Sequence, residues 1–351
     1  MIGKYEIRFC EKGEAAQLQK FIGEHWKPNH ALALSRELLD WQHLNLETDT
    51  YNFVIAFFRE TGEIHAVYGF IPTCLFDPEL KSASDYWPAI WKVREDVDAP
   101  GLGMFVYYYF VKQIKPRSLS GFGMNPDLAP LARKISYAMG MLDHFYMLNL
   151  MKKSFALVGG FDGRFHSDVD GSDDVKLARL DADDFIERAS EIAYRPGAKD
   201  VPAKSIAYLE QRYVRHPFYD YVCYRVDRMG RPEAILVTRL ATHGDTRALR
   251  VVDYFGETSS LVGACGALQA LLVEYDAEYV DFYNLGLDHG DLFAAGFLHR
   301  GPEEKIVIPN YFEPYEQRNV ELDYVIYTDV SEFNFRFVKG DCDQDRPNVL
   351  P

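Results

Sequence analysis

The sequence is short of the features that would place it outside a globular fold. Its five cysteines, Cys10, Cys74, Cys223, Cys265 and Cys342, are scattered and odd in number. They form no CxxC pair and no secreted-type disulfide framework, so they read as reduced thiols. Basic residues are too few to favour nucleic acid. Thirty-eight Lys and Arg face 53 Asp and Glu, a net charge of −15, which argues against a polyanion or an anionic membrane as main partner. No stretch approaches the roughly 20 apolar residues that span a bilayer. The longest apolar run, Met104 to Val111, is short and tyrosine-rich. The N-terminal MIGKYEIRFCEKGEAAQ is charged from its first residues and lacks a signal-peptide core. These features together lead us to expect a cytoplasmic protein. HExxH and related metal spacings are missing too, so no metal is expected.

What the chain has in quantity is apolar and aromatic material. Apolar residues make up 48% and aromatics 15% of 351 residues, enough for two cores and more than one domain usually holds. Self-similarity appears at half the chain length. In the first half AIWKVREDV leads into DAPGLG and then MFVYYYFVKQI; in the second RALRVVDYFG leads into ETSS and then LVGACGALQALLVEY. Both read as strand, tight turn, helix. Each unit is followed by a second strand with an Asn near its end, SLSGFGMN and EYVDFYNLG. A short helix then closes on Gly140-Met141 or Gly296-Phe297, and a further strand follows, DHFYMLNL or EEKIVIP. The openings correspond as well: YEIRFCEKGEAAQLQKFIGEHW and VKLARLDADDFIERASEIAY each read as strand, capping turn and amphipathic helix. The expected division is a first domain over 1–152, a glycine-bearing linker over 153–172 and a second domain over 173–351.

The first-half segment VREDVDAPGLGMFVYYYF, followed by GFGMNPDLAPLARKISYAMGM, resembles the GNAT acyltransferase superfamily. The resemblance implies an α/β (α+β) fold: two tandem GNAT-like domains, each a twisted mixed central sheet flanked by helices. It also implies acetyl-CoA or another acyl-CoA as co-substrate. The family signature is a strand followed by a Q/R-x-x-G-x-G/A turn that opens a helix, whose N-terminal amides cradle the CoA pyrophosphate. Here Gly101 and Gly103 match, while Asp98 stands where the family has Gln or Arg. By that match Val97, Ala99, Gly101, Leu102, Gly103, Met104 and Asn125 are the expected cofactor-binding residues. The family's thiolate-protonating Tyr falls at Ser136, with Tyr137 beside it, and Tyr137 is the expected acid. The second turn, Gly256 to Ser260, lacks GxG and carries Glu257, so the second copy is expected to have lost CoA and to serve the acceptor.

Acceptor candidates are spread along the chain. His25 and His30 fall where the superfamily lines its acceptor cleft, with His30 a candidate base. Asp253, at the end of a strand, is a second base candidate. His216, in the Arg215–Tyr219 segment, and Asn284 are further candidates. The stiff IPNYFEPY loop offers Asn310, Tyr311 and Glu313. In the terminal GDCDQDRPN, Asp341, Asp343 and Asp345 alternate, which in an extended segment puts them on one face, either as a solvated acidic tail or as a cluster that holds an amine, with Arg346 free for a phosphate or a carboxylate. A calcium loop is excluded there, since its sixth position is Arg346 and no Glu follows at the twelfth. The tandem form and these segments resemble acyltransferases of bacterial surface-polysaccharide pathways, which implies a nucleotide-linked amino-sugar acceptor. A Fem-like aminoacyl-tRNA-dependent transferase and a non-catalytic GNAT-fold binding protein are the alternatives.

Overall fold

The computed structural model describes residues 2–123, 138–161, 163, 174–301, 304–328, 332–343, 345–348 and 350. The sequence alternates strand-formers with short helical stretches, and the strands in chain order come first. They are β1 (Tyr5–Glu11), β2 (Leu44–Asn45), β3 (Thr50–Phe58), β4 (Glu63–Pro72), β5 (Tyr86–Val93), β6 (Leu119–Phe122) and β7 (Ala138–Met141). Next are β8 (Asp143–Leu148), β9 (Val175–Leu180), β10 (Asp200–Val201), β11 (Tyr221–Arg228), β12 (Arg231–His243), β13 (Thr246–Phe255) and β14 (Tyr279–Leu285). The last six are β15 (Leu298–His299), β16 (Tyr311–Phe312), β17 (Tyr315–Glu316), β18 (Asp323–Tyr327), β19 (Asn334–Phe335) and β20 (Phe337–Val338).

Two mixed sheets result. The first has the order β1-β3-β4-β5-β6-β18-β7, with β2 on β3; the second has β15-β8-β14-β13-β12-β11-β9, with β20 on β14. In each, antiparallel strands lead to one parallel pair, β5 with β6 and β13 with β14. The helix between each pair is the expected one, Leu102–Ile114 in the first sheet and Cys265–Glu274 in the second. The helices bury Val106 and Phe110, and Leu268 and Leu272, against their own sheets. The repeat read from the sequence is therefore present as two copies of one strand order.

Each sheet is completed by a strand from the other half of the chain. DHFYMLNL, expected to close the first domain, is β8 and pairs with β14 from Tyr279↔Leu148 to Asn284↔Asp143. β18, near the end of the chain, lies between β6 and β7. By contacts the chain divides into Met1–Met139, Val325–Ser331 and Arg346–Pro351 as one unit, and Gly140–Tyr324 and Glu332–Asp345 as the other. Of the expected linker, Leu157 and Val158 are buried in the second unit. The Glu278 carboxylate accepts from the amides of Ala156 and Leu157 at 2.7 and 2.8 Å. Two smaller expectations change. Gly140 lies in β7 rather than at a helix end, and among its described residues EEKIVIP makes a single bridge, Val307 to Gly159.

A fragment ending at residue 152 carries β8 without β14 to pair with and lacks β18. An unpaired strand leaves its amides and carbonyls unsatisfied. Such a fragment should show no cooperative thermal transition by circular dichroism, whereas the full chain should.

Candidate functional site

In the first unit the parallel pair opens almost at once. β5 meets β6 only at Tyr86↔Leu119. A bulge in β5 follows: Tyr68 of β4 pairs with Trp91 and Phe70 with Pro88, so Ala89 and Ile90 together face Gly69. Only glycine fits at that position, because a Cβ there would lie 2.4 Å from the Phe53 ring. The closed end of the pair is fastened by buried Asp85, which accepts from Arg117 at 2.7 and 3.1 Å and from Ser118 at 2.6 Å. A bulge redirects one strand of a pair and increases its twist, so β5 and β6 diverge beyond the clamp.

The turn after β5 has the expected shape. Gly101 adopts φ +80° and opens the helix Leu102–Ile114. Gly103 lets the helix approach β5: its missing Cβ would meet Val93 at 3.2 Å and Trp91 at 3.3 Å, and the Trp91 indole donates to its carbonyl at 3.0 Å. Ala99 and Leu102 are buried, and Val97 and Met104 pack on the same core. The side chains of these four are taken up by that core.

The charges around the turn are unfavourable to phosphate. Arg94 is engaged by Asp96 at 2.7 Å and Glu63 at 3.1 Å, and Lys92 by Glu95 at 2.6 Å. The hydrogen bond from Arg94 holds Asp96 down at about 2, and Asp98 is exposed. His25 is near Glu95 and Asp96. His30 is buried, and its Nδ1 caps the helix Ala31–Leu34 by accepting from the Leu32 amide at 3.2 Å. Asn125 and Tyr137 lie outside the described residues.

The second unit repeats the bulge and fills the gap. Val237 pairs with Asp253 and Thr238 with Val251, so Val252 is the extra residue of β13. β13 and β14 pair at Leu249↔Val280, Arg250↔Asp281 and Val251↔Phe282. Past that point β20 takes the place alongside β14, at Asn284↔Val338 and Leu285↔Phe337. Gly340 then donates its amide to the Val252 carbonyl at 2.8 Å. A Cβ at Gly340 would lie 2.4 Å from the Tyr213 hydroxyl and 2.8 Å from Val252, so only glycine closes the gap.

Buried charges lock this segment in place. Arg212 donates to the carbonyls of Gly340 and Cys342 at 2.6 and 2.9 Å. Lys204 bridges Asp253 and Asp341, both at 2.8 Å, and Asp253 also accepts from Tyr213 at 2.7 Å. Asp253 is thus a fully bonded counter-ion and not the open base expected of it. The alternating aspartates do not share a face either. Cys342 takes φ +59° and turns the chain, so Asp341 reaches Lys204 while Asp345 reaches Arg239 at 2.7 Å and Tyr221 at 2.8 Å. Asp343 is half-exposed, and Arg346 donates to Asn348 at 3.3 Å.

A charged stripe crosses the sheet next to the plug. Tyr221, Arg239, Arg250 and Asp281 stand in direct register on β11, β12, β13 and β14. Arg250 pairs with Asp281 at 3.1 Å, and His144 on β8 lies 3.4 Å from the same carboxylate. Burial works against the Asp281 charge, but Arg250 and His144 hold it down at about 2. Burial lowers His144 to about 4 and leaves it neutral. Reasoning from sequence missed this stripe, although a lone charge inside an apolar strand, as in ILVTRLA and YVDFYN, is its signal.

Of the acceptor candidates, His216, Asn284, Asn310, Tyr311 and Glu313 lie in this unit. The His216 Nδ1 accepts from the amides of Phe218 and Tyr219 at 3.1 and 2.9 Å, and burial lowers its ring to about 3. The Tyr219 hydroxyl donates to Glu313 at 3.0 Å, and the Arg239 guanidinium lies 4.1 Å from the Tyr219 ring centre. Tyr311 is half-buried in β16. Asn284 and Asn310 are buried with both side-chain heteroatoms unpartnered. Among the described residues no group of three or more His, Cys, Asp or Glu could hold a metal ion, and no helix is long and apolar enough to cross a membrane.

No family model and no curated protein matches this chain. Solved structures do. A GCN5-related N-acetyltransferase from Anabaena variabilis aligns with a TM-score of 0.52 at 10% identity, over 92% of this chain and 72% of that one. A second from Kribbella flavida gives 0.51 at 12%, over 93% and 72%. A conserved protein of unknown function from Enterococcus faecalis, named a probable N-acyltransferase, gives 0.54 at 9%, over 91% and 71%. The chain therefore has the GNAT fold in tandem.

The Lys204 cluster gives a stability signature. Burial pushes Asp341 up to about 6 in spite of Lys204. A raised carboxylate favours the folded state below its ordinary value of 3.8 and loses that contribution as pH rises through about 6. Asp341→Asn keeps the acceptor for the Val338 amide and should flatten the dependence of urea stability on pH between about 4 and 6. Lys204→Met leaves two buried carboxylates uncompensated and should cost about 3–5 kcal/mol at neutral pH.

Proposed function

We propose that the protein is an acyl-CoA-dependent N-acyltransferase with its donor site in the first unit. It moves an acyl group, with acetyl the first choice, to the amine of a nucleotide-linked amino sugar in bacterial surface-polysaccharide biosynthesis. The observation that carries the donor assignment is the contrast between the two parted strand pairs. The second is filled by the chain's own β20 and Gly340. Between β5 and β6 no strand inserts among the described residues. Backbone amides and carbonyls need partners, and an extended amide-bearing chain such as pantetheine supplies them as β20 does. The helix opening at Gly101 presents its positive end to the pyrophosphate.

Chemistry then follows the fold's direct route. The acceptor ammonium loses a proton to solvent and the free amine attacks the thioester carbonyl, while a backbone amide beside the bulge steadies the oxyanion. As the C–S bond breaks, Tyr137 gives its proton to the CoA thiolate and regains one from the newly acylated nitrogen through water. The hydrogen bonds that Asp253 and His30 already accept weigh against acid–base roles for them. The acceptor assignment is supported by convergence: the segments containing His216, Glu313 and Asp345 lie far apart in sequence and meet around Tyr219 and Arg239. Stacked aromatics with fixed carboxylates suit a sugar or a base.

The acidic donor turn favours one other reading, a GNAT-fold protein that binds a ligand without turnover. Asp98 decides between them. Placing a cation there, as the family pattern has it, turns an exposed repulsion of the pyrophosphate into an attraction, worth about 0.2–0.7 kcal/mol in each direction. Calorimetry should find acetyl-CoA binding that Asp98→Arg tightens about 2- to 10-fold, and a panel of nucleotide-linked amino sugars should release free thiol. Binding without thiol release across the panel would support the second reading. Absence of binding in both proteins would remove the donor assignment.

A further inference from the structure

Lys339 follows directly on β20 and is buried, 4% exposed. Its ammonium lies 5.3 Å from the Tyr283 ring centre. No carboxylate among the described residues comes within ion-pair distance of it. The charges around it come from four directions. Arg250 on β13 is matched by Asp281 on β14, and Arg239 on β12 is matched by Asp345. His144 on β8 stacks on the same Tyr283 ring, with centroids 3.9 Å apart, and its Nδ1 accepts from Arg300, which is matched by Glu321. Each guanidinium has its own carboxylate, so the positive charge of Lys339 is the one left over. An isolated buried charge costs several kcal/mol.

A second unsatisfied group lies beside the same tyrosine. Asn310, 2% exposed, has no well-formed hydrogen bond on its amide nitrogen or its carbonyl oxygen, and the polar group it weakly contacts is the Tyr283 hydroxyl, which itself donates to the Val320 carbonyl. Buried polar atoms of this kind are normally satisfied by protein, ordered water or a ligand. A surplus cation and an amide donor together fit one chemistry.

We infer that Lys339 and Asn310 form a binding site for a small oxyanion, a carboxylate or a phosphate group. The oxyanion takes the ammonium as counter-charge and the Asn310 amide as donor, while Tyr283 walls the site. The strand pair in this unit is already plugged, so the site is separate from acyl-CoA binding. In the empty protein, burial and then Arg250 lower Lys339 to about 7. An anion binds the protonated lysine, so affinity should fall about tenfold for each pH unit above that value as one proton must be taken up.

The test uses the full chain at constant ionic strength, with acetate in one arm and phosphate in the other against a chloride background. Titrations are run at pH about 6 and about 8.5, on either side of the Lys339 value. Wild type should bind one of the two at the lower pH and take up about one proton across buffers of different ionisation enthalpy. Lys339→Met should abolish binding and, by removing the unpaired charge, melt higher than wild type in anion-free buffer. Asn310→Leu should weaken binding about tenfold and carries the test if the methionine variant does not fold. Equal affinity in wild type and both variants, affinity independent of pH, or no binding of either anion would overturn the site.

Discussion

The structure turns on a bulge in the strand that precedes each central helix. That strand has an antiparallel neighbour on one side and a parallel neighbour on the other. An extra residue lets it keep the first while leaving the second. Ala89 and Ile90 do this in the first unit, and Val252 does it in the second. What leaves must be replaced, because the edges so exposed carry amides and carbonyls that folding cannot strand. In the second unit the replacement comes from the chain itself: Phe337 and Val338 pair with β14, and Gly340 donates a hydrogen bond to Val252. In the first no strand takes that place among the described residues, which is the ground for the proposed donor site.

From this difference the electrostatics of the two units diverge. Holding a chain segment in a gap permanently requires fixed partners, and the second unit buries them in number. Lys204 joins two aspartates, Arg212 holds two carbonyls, and Arg239 and Arg250 face their carboxylates across the strands. Such pairs add specificity of register more than net stability, since desolvation offsets much of the attraction. The first unit has none of this at its turn. Its ion pairs there, Arg94 with Asp96 and Lys92 with Glu95, involve exposed carboxylates, and the proposed CoA pyrophosphate would compete with them and with Asp98.

Much of the fold was readable before any coordinates. Strand, turn and helix recur in both halves because each is set by local pattern: β-formers, then Gly or Ser, then a helical period. Gly101 and Gly103 stand where the match put them, one at positive φ and the other against Trp91. What local pattern does not contain is which sheet a strand joins. DHFYMLNL was readable as a strand, but its pairing with Tyr279–Leu285 depends on residues more than a hundred positions away. The candidate site was less legible for the same reason. Asp341, Asp343 and Asp345 suggested one extended face until a positive φ at Cys342 turned the chain. Asp253 was visible as a carboxylate, and its neutralisation by Lys204, 49 positions away, was not. Lys339 had no motif around it at all, and became conspicuous only once every neighbouring charge was found to be matched.

Hydrogen exchange of the full chain with and without acetyl-CoA tests the central claim most directly. The account predicts added protection in residues 86–104 and 119–122, where β5 parts from β6 and the helix opens. It predicts no change in 249–260, 279–286 and 337–340, where the gap is already closed. Protection confined to the second set, or displacement of 337–340 on binding, would contradict it.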